Sequence, residues 1–138
     1  MPTALFLAIT AGLAVAVVVR LRRRRRISRF LQGRTPLSAE EFAALFASDA
    51  ERPVAVSIRE LLAGWIGFDV ALLRPDDEFC GDLLLDAADG LDPEEFLRSV
   101  EERWAVTIPD DVAADLKTIR QLAREVARAG AAQSPQAA

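Results

Sequence analysis

The sequence predicts an all-α protein: a single N-terminal transmembrane helix followed by a small helical bundle. Three observations carry that expectation. Pro2 to Val19, PTALFLAITAGLAVAVVV, is eighteen residues without a charge, and at 1.5 Å per residue it spans roughly 27 Å, close to the hydrocarbon thickness of a bilayer. Beyond it, apolar residues recur three and four apart, and no stretch alternates residue by residue as a half-buried strand would. The periodic runs are bounded by residues that start or stop helices.

Charge divides the chain in the same place. Residues 1–34 hold eight arginines (20, 22, 23, 24, 25, 26, 29 and 34) and no acid, a net +8; residues 35–138 hold nine basic and all 21 acidic residues, a net −12. The overall −4 averages two unlike objects. The arginines from Arg20 to Arg26 directly follow the apolar run, and since such residues stay on the cytoplasmic side, the expected topology is N-terminus out and soluble domain in, across the plasma membrane. A cleaved signal peptide would carry its positive charge before the apolar stretch, whereas here it follows, and Ala14-Val15-Ala16, the only cleavage-like site, lies inside that stretch. A buried core helix is the other alternative. Arginines near an anionic leaflet also attract its lipids. Nucleic-acid binding by this run is not expected, because membrane topology already accounts for it.

Composition argues against catalysis. There is no His, so the one side chain that titrates near neutrality unaided is missing. The single Cys80 permits neither an internal disulfide nor a cysteine-rich metal site, and it is compatible with a reducing compartment.

Element by element, residues 20–36 are expected to form a polybasic linker, since Ser28 to Pro36 contains Gly and Pro and no periodicity. Ser38 as N-cap, Glu41 closing a capping box and Leu37 with Phe42 as a hydrophobic staple predict a short helix to about Ala47, with Phe42, Leu45 and Phe46 turned inward. A second helix is expected from Val54 or Ser57 to Ile66, burying Ile58, Leu61, Leu62 and Trp65, with Gly67 as its stop. Phe68 to Leu91 reads as a long irregular segment pinned by Leu72, Leu73, Phe79, Leu83 and Leu85. Asp92, Pro93 and Glu95 then open a helix with Phe96, Val100 and Trp104 on one face. Ile108-Pro109-Asp110 turns into a short helix ending near Leu116. Thr118 and Gln121 open the last helix, whose inner face is Ile119, Leu122, Val126 and Ala127 and whose stop is Gly130. The domain is thus expected over residues 37–129, with a disordered tail at 130–138. About 90 residues suffice for one small core.

This order of elements resembles the acyl carrier protein family. IRELLAGWIGFDVALLRPDDEF (58–79) is similar to that family's first helix and following loop, FLRSVEERWAVTIPDD (96–111) to its second helix and Ile-Pro-Asp turn, and LKTIRQLAREV (116–126) to its closing helix. The resemblance covers roughly residues 54–128. PLSAEEF followed by such a domain also resembles a group of small bacterial carrier-like proteins. The family attaches 4'-phosphopantetheine to the serine hydroxyl of Asp-Ser-Leu. Here Asp89-Gly90-Leu91 stands in that place, in a loop about three residues longer than usual when counted from Phe79. Gly90 has no oxygen to esterify, so the resemblance implies a degenerate attachment site and no cofactor. Glycine there also permits a positive φ before a helix.

Two residues offer alternatives: Ser99 as an attachment point for the arm, though it is more simply a solvated helical serine, and Cys80 as a thiol that carries a thioester directly, though it is more simply a small apolar side chain. The resemblance further implies that carboxylates of the second helix, here Glu94, Glu95, Glu101 and Glu102, dock on a basic patch of a protein partner. Arg98 and Arg103 interrupt them, and an ordinary solvated face with Glu94 and Glu95 favouring the helix dipole is the plain alternative. The acids Asp76, Asp77, Glu78, Asp82, Asp86, Asp89 and Asp92 do not fit the spacing of a calcium loop. Paired carboxylates for hydrolysis are not expected either, since nothing in the sequence outlines a pocket. The sequence therefore points to a membrane-anchored carrier-like binding domain with no small-molecule substrate. A carrier modified at a non-standard residue and a structural membrane protein with an acidic spacer remain the alternatives.

Overall fold

In the computed structural model, residues 2–81 and 92–133 are described. They contain six α-helices and one 3-10 turn, and no strand is found among them. The chain divides into Met1–Arg34 and Thr35–Ala138, and each unit is taken by itself.

The first unit is one helix, α1, Pro2–Leu31. Its apolar window has a mean hydropathy of 2.4 and none of it is buried, so by length and composition this is a helix able to cross a membrane. The linker expected from residue 20 is instead helical through all the arginines to Leu31. Arginine is a good helix former, and extending an existing helix costs far less than nucleating one. The stop comes at Gly33, where φ is +77° and the Arg34 amide donates to the Leu31 carbonyl at 3.1 Å. A left-handed residue just past a helix is the usual place for glycine. The Arg34 guanidinium lies 3.9 Å above the Phe30 ring.

The second unit is built on α3, Glu51–Leu62, packed along α6, Ile119–Gln133. Ile58, Leu62, Ile119, Leu122 and Val126 are all at most 1% exposed. Burying a side chain of this size is worth about 1.5–3 kcal/mol, so this seam is a large favourable contribution to the domain. α3 begins earlier than the periodicity suggested, because Pro53 falls in its first turn, where its missing amide costs nothing. It also ends earlier, at Leu62 rather than Ile66, so Gly67 lies beyond its end. Leu61 and Trp65 are half-buried rather than core. On α6, Gly130 does not stop the helix: the Gln133 amide exchanges two hydrogen bonds with the Thr107 backbone at 3.3 Å, tying the extra turn down. Ala123 and Ala129 are buried on its inner face, whereas Ala127 is only half-buried.

α2, Ala39–Ala43, is docked on α3, and its capping box is complete: the Glu41 amide donates to Ser38 Oγ at 3.1 Å and the Ser38 amide to Glu41 Oε2 at 2.8 Å. The helix stops short of Ala47 because the amides of Leu45 and Phe46 turn to carbonyls three residues back. That tightening sends Phe46 inward, edge-on to Phe42 at 5.3 Å, and leaves Leu45 45% exposed, against expectation. Arg59, on α3, is 7% exposed, donates to the Leu37 carbonyl at 2.9 Å and faces the Phe42 ring. Burial lowers its pKa from the usual arginine value.

The irregular segment contains a 3-10 turn, Val70–Leu72, capped by the Asp69 carboxylate. Leu73 and Phe79 are buried as expected and Leu72 half-buried, while Leu83 and Leu85 lie outside the described residues. Arg120 gathers this segment to the bundle. Its amide donates to the Pro75 carbonyl at 2.8 Å, its Nε to Asp76 Oδ1 at 2.8 Å and an Nη to the Leu45 carbonyl at 2.9 Å, with the guanidinium over Phe46. The hydrogen bond from Arg120 holds the Asp76 carboxyl below the ordinary carboxylate range. That lowered pKa contributes stability at neutral pH that is lost as pH falls through the acid range.

α4, Pro93–Trp104, and α5, Asp110–Asp115, complete the bundle. α4 ends on Ala105 at φ +50°, a left-handed conformation that costs an L-residue roughly 1 kcal/mol.

Three outcomes are expected in urea titrations of the domain. Arg120→Ala should lower stability by about 1–2 kcal/mol, because the Leu45 carbonyl and the Asp76 carboxylate lose their donor at once while the backbone bond to Pro75 remains. Asp76→Asn, at an exposed pair, should cost less than about 1 kcal/mol and should flatten the loss of stability below the ordinary carboxylate pKa. Ala105→Gly should raise stability by about 0.5–1 kcal/mol; a loss would show that the left-handed residue is not strained.

Candidate functional site

The candidate face lies on α4, whose N-terminus is fixed by its own sequence. Asp92 Oδ1 accepts from the Glu94 amide at 2.9 Å, and Pro93 occupies the first turn. The inner side of α4 is held by aromatics: Phe96, 3% exposed, meets the Trp65 ring edge-on at 5.6 Å and Phe79 at 5.7 Å. Val100 is fully buried, and Trp104 is half-buried rather than core.

At roughly 100° per residue, Glu94 and Glu101 share one line of the outer surface, Glu95 and Glu102 a second, and Arg98 lies between them. Glu94, Glu95, Glu102 and Arg98 are exposed. Glu101 differs from the other three carboxylates. Its Oε1 accepts from the Ile108 amide at 2.8 Å, so it satisfies the chain leaving α4 as well as lining the face. Arg103, the other interrupting charge, lies beside its neighbour's ring, 5.8 Å from the Trp104 centroid.

Asp89, Gly90 and Leu91 lie outside the described residues, as do Asp82 and Asp86. Of the two alternative attachment points, Ser99 is committed internally, its hydroxyl donating to the Phe96 carbonyl at 2.6 Å. Cys80 is exposed and free. The remaining loop acids are spoken for: Asp76 pairs with Arg120, Asp77 Oδ2 accepts from the Arg74 amide at 2.7 Å, and Asp92 caps α4. Among the described residues, no group of three acidic, cysteine or histidine side chains is placed to hold a metal ion. On α1, Arg20, Arg22, Arg24, Arg25 and Arg26 are exposed and Arg23 is half-buried.

The sequence outlined no pocket, but the structure has a cleft of about 520 Å³ beside this face. Phe79, Phe96, Leu97, Ile108, Leu116 and Leu122 make it apolar, and Cys80, Glu94, Arg98, Glu101 and Asp110 line it as well. Its walls come from positions up to 43 residues apart, and no local pattern announces them. Leu97, one residue off the core line of α4, was the sole hint. The site thus joins an acidic ridge and an apolar groove, with the exposed Cys80 thiol in the lining of that groove.

No family model matches the chain. Among curated proteins it is 34% identical over 83 residues to an acyl carrier protein of Streptomyces coelicolor, covering 59% of this chain and 87% of that one. It is 33% identical over 67 residues to an acyl carrier protein of Solidesulfovibrio magneticus, covering 49% and 82% respectively. An acyl carrier protein of Treponema pallidum is 36% identical over 63 residues, covering 46% of this chain and 77% of its own length. These stretches cover the C-terminal part of the chain, where the helical bundle lies. On the strength of that coverage and of the all-helical bundle, the chain belongs to the acyl carrier protein family, a family of non-catalytic carriers, and is not an enzyme.

Proposed function

We propose that the protein is a membrane-anchored member of this family that works by binding another protein through α4, without a pantetheine arm. The observation that carries the reading is Gly90, between Asp89 and Leu91, where the family's phosphodiester would need a hydroxyl. α1 is the anchor, and the arginines from 20 onward keep its C-terminal end, and with it the acidic domain, in the cytoplasm. Glu94, Glu95 and Glu102 are the docking carboxylates. They are exposed on a helix whose ends are locked, so presenting them requires no reordering, and a basic patch on the partner is the complement. Glu101 supports the face from within it rather than serving the partner.

A second reading, a carrier modified elsewhere, is favoured by one feature alone, the exposed thiol of Cys80 at the cleft. Co-expression of residues 35–138 with a broad-specificity phosphopantetheinyl transferase separates the two. The wild-type mass should stay that of the bare polypeptide, and Gly90→Ser should gain one pantetheine arm. An arm on the wild-type protein would replace the binding reading with the second.

Reversal of Glu94, Glu95 and Glu102 to Lys should abolish salt-sensitive association with the partner while lowering stability by no more than about 1–2 kcal/mol, the loss of the first-turn charges at the helix dipole. If the triple variant still associates, α4 is not the docking face. Glu101→Lys should behave differently, lowering stability by about 1–3 kcal/mol because the Ile108 amide loses its acceptor.

A further inference from the structure

The arginine run is helical, and that decides where its charges go. Six of its arginines are exposed and fall into three pairs four residues apart along α1: Arg20 with Arg24, Arg22 with Arg26, and Arg25 with Arg29. Residues on a helix four apart are surface neighbours with Cβ atoms about 5–6 Å apart. At roughly 100° per residue the three pairs point in different directions about the axis, so they form a collar rather than a stripe. A collar suits a helix standing along the membrane normal. A helix lying in the interface would gather its charges on one side, opposite an apolar face.

The pairing also creates a demand. Like charges four apart repel and oppose the helix, yet the helix continues through all of them to Leu31. Residues 1–34 contain no Asp or Glu, so this unit supplies no counter-charge of its own. The nearest anions at the end of a bilayer span are lipid phosphates. Two guanidinium forks side by side match a phosphodiester, whose oxygens accept paired N–H donors.

We propose that the Arg20/Arg24 pair is a binding site for the phosphodiester headgroups of anionic lipids, so that the protein selects its lipid surroundings. The inference rests on α1 spanning the bilayer, as proposed above. Depth ranks the pairs. With 1.5 Å rise per residue and a headgroup layer of about 5–8 Å, Arg20 and Arg24 sit within the layer, whereas Arg25 and Arg29 begin near its outer limit. Two pairs of equal charge therefore have unequal access to lipid.

The test reconstitutes the full chain in vesicles of phosphatidylcholine alone and of phosphatidylcholine mixed with phosphatidylglycerol. Resistance to carbonate extraction from the phosphatidylcholine vesicles first establishes insertion; failure there overturns the anchor reading itself, and with it this site. In the mixed vesicles, the relative association of spin-labelled phosphatidylglycerol over spin-labelled phosphatidylcholine is read from the motionally restricted fraction. The wild type should prefer the anionic lipid by about fivefold or more. Arg20→Gln with Arg24→Gln should remove most of that preference, and Arg25→Gln with Arg29→Gln should leave most of it. Added inorganic phosphate at constant ionic strength should leave it unchanged, whereas loss of the preference would assign the pairs to free phosphate. An inserted protein without preference, or two double variants weakened equally, overturns the paired-arginine site.

Discussion

The domain depends on one seam, the packing of α3 along α6. Ile58 and Leu62 from one helix and Ile119, Leu122 and Val126 from the other are almost wholly removed from water. Two neighbouring parts of the second unit are tied to that pair. α2 is docked on α3 by Phe42 and the buried Arg59, and the loop from Pro75 to Phe79 is laced to the start of α6 by Arg120, by the Phe79 amide donating to the Lys117 carbonyl and by the Glu78–Thr118 bridge. In so small a domain the margin over conformational entropy is thin. Such directional ties decide which arrangement of the outer elements the apolar seam supports.

α4 carries the candidate face on that frame. The helix is anchored from beneath by Phe96 between Trp65 and Phe79, at its start by Asp92 and at its end by Glu101 reaching to Ile108. Of its outer carboxylates, Glu101 is tied to the fold by a hydrogen bond, and Glu94 and Glu95 favour the helix dipole from its first turn. One face thus combines fixed backbone, free charge and an adjacent apolar groove, a pairing common to surfaces that bind other proteins reversibly. Specificity then resides in which charges are truly available, and the structure separates Glu101 from the other three.

The two units carry opposite charge for different physical reasons. The arginines of α1 follow an uncharged stretch long enough to cross a membrane, and in the proposed anchor their hydration and the lipid phosphates keep them at the surface. The carboxylates of the domain lie on helix starts and outer faces, where they favour the helix dipole and keep the surface hydrated. The net −4 of the whole chain hides this division.

How much was legible beforehand varied with how local the cause was. The Ser38 and Glu41 capping box, the Asp92-Pro93 helix start, the Thr118 and Gln121 opening, the apolar span and the missing hydroxyl at Gly90 are all written within a few adjacent residues, so sequence alone determined them. Helix ends were read less well. Gly67 and Gly130 looked like stops, but whether a glycine ends a helix depends on what packs beyond it: Gln133 found Thr107 across the fold, and α3 had already ended. The inward turn of Phe46 at the expense of Leu45 and the apolar cleft depend on residues tens of positions apart, while the left-handed Ala105 and the internal use of Glu101 depend on how the chain turns back after α4. Those features only the tertiary structure decided, because periodicity records which side of a helix is apolar and carries no record of which distant partner will meet it.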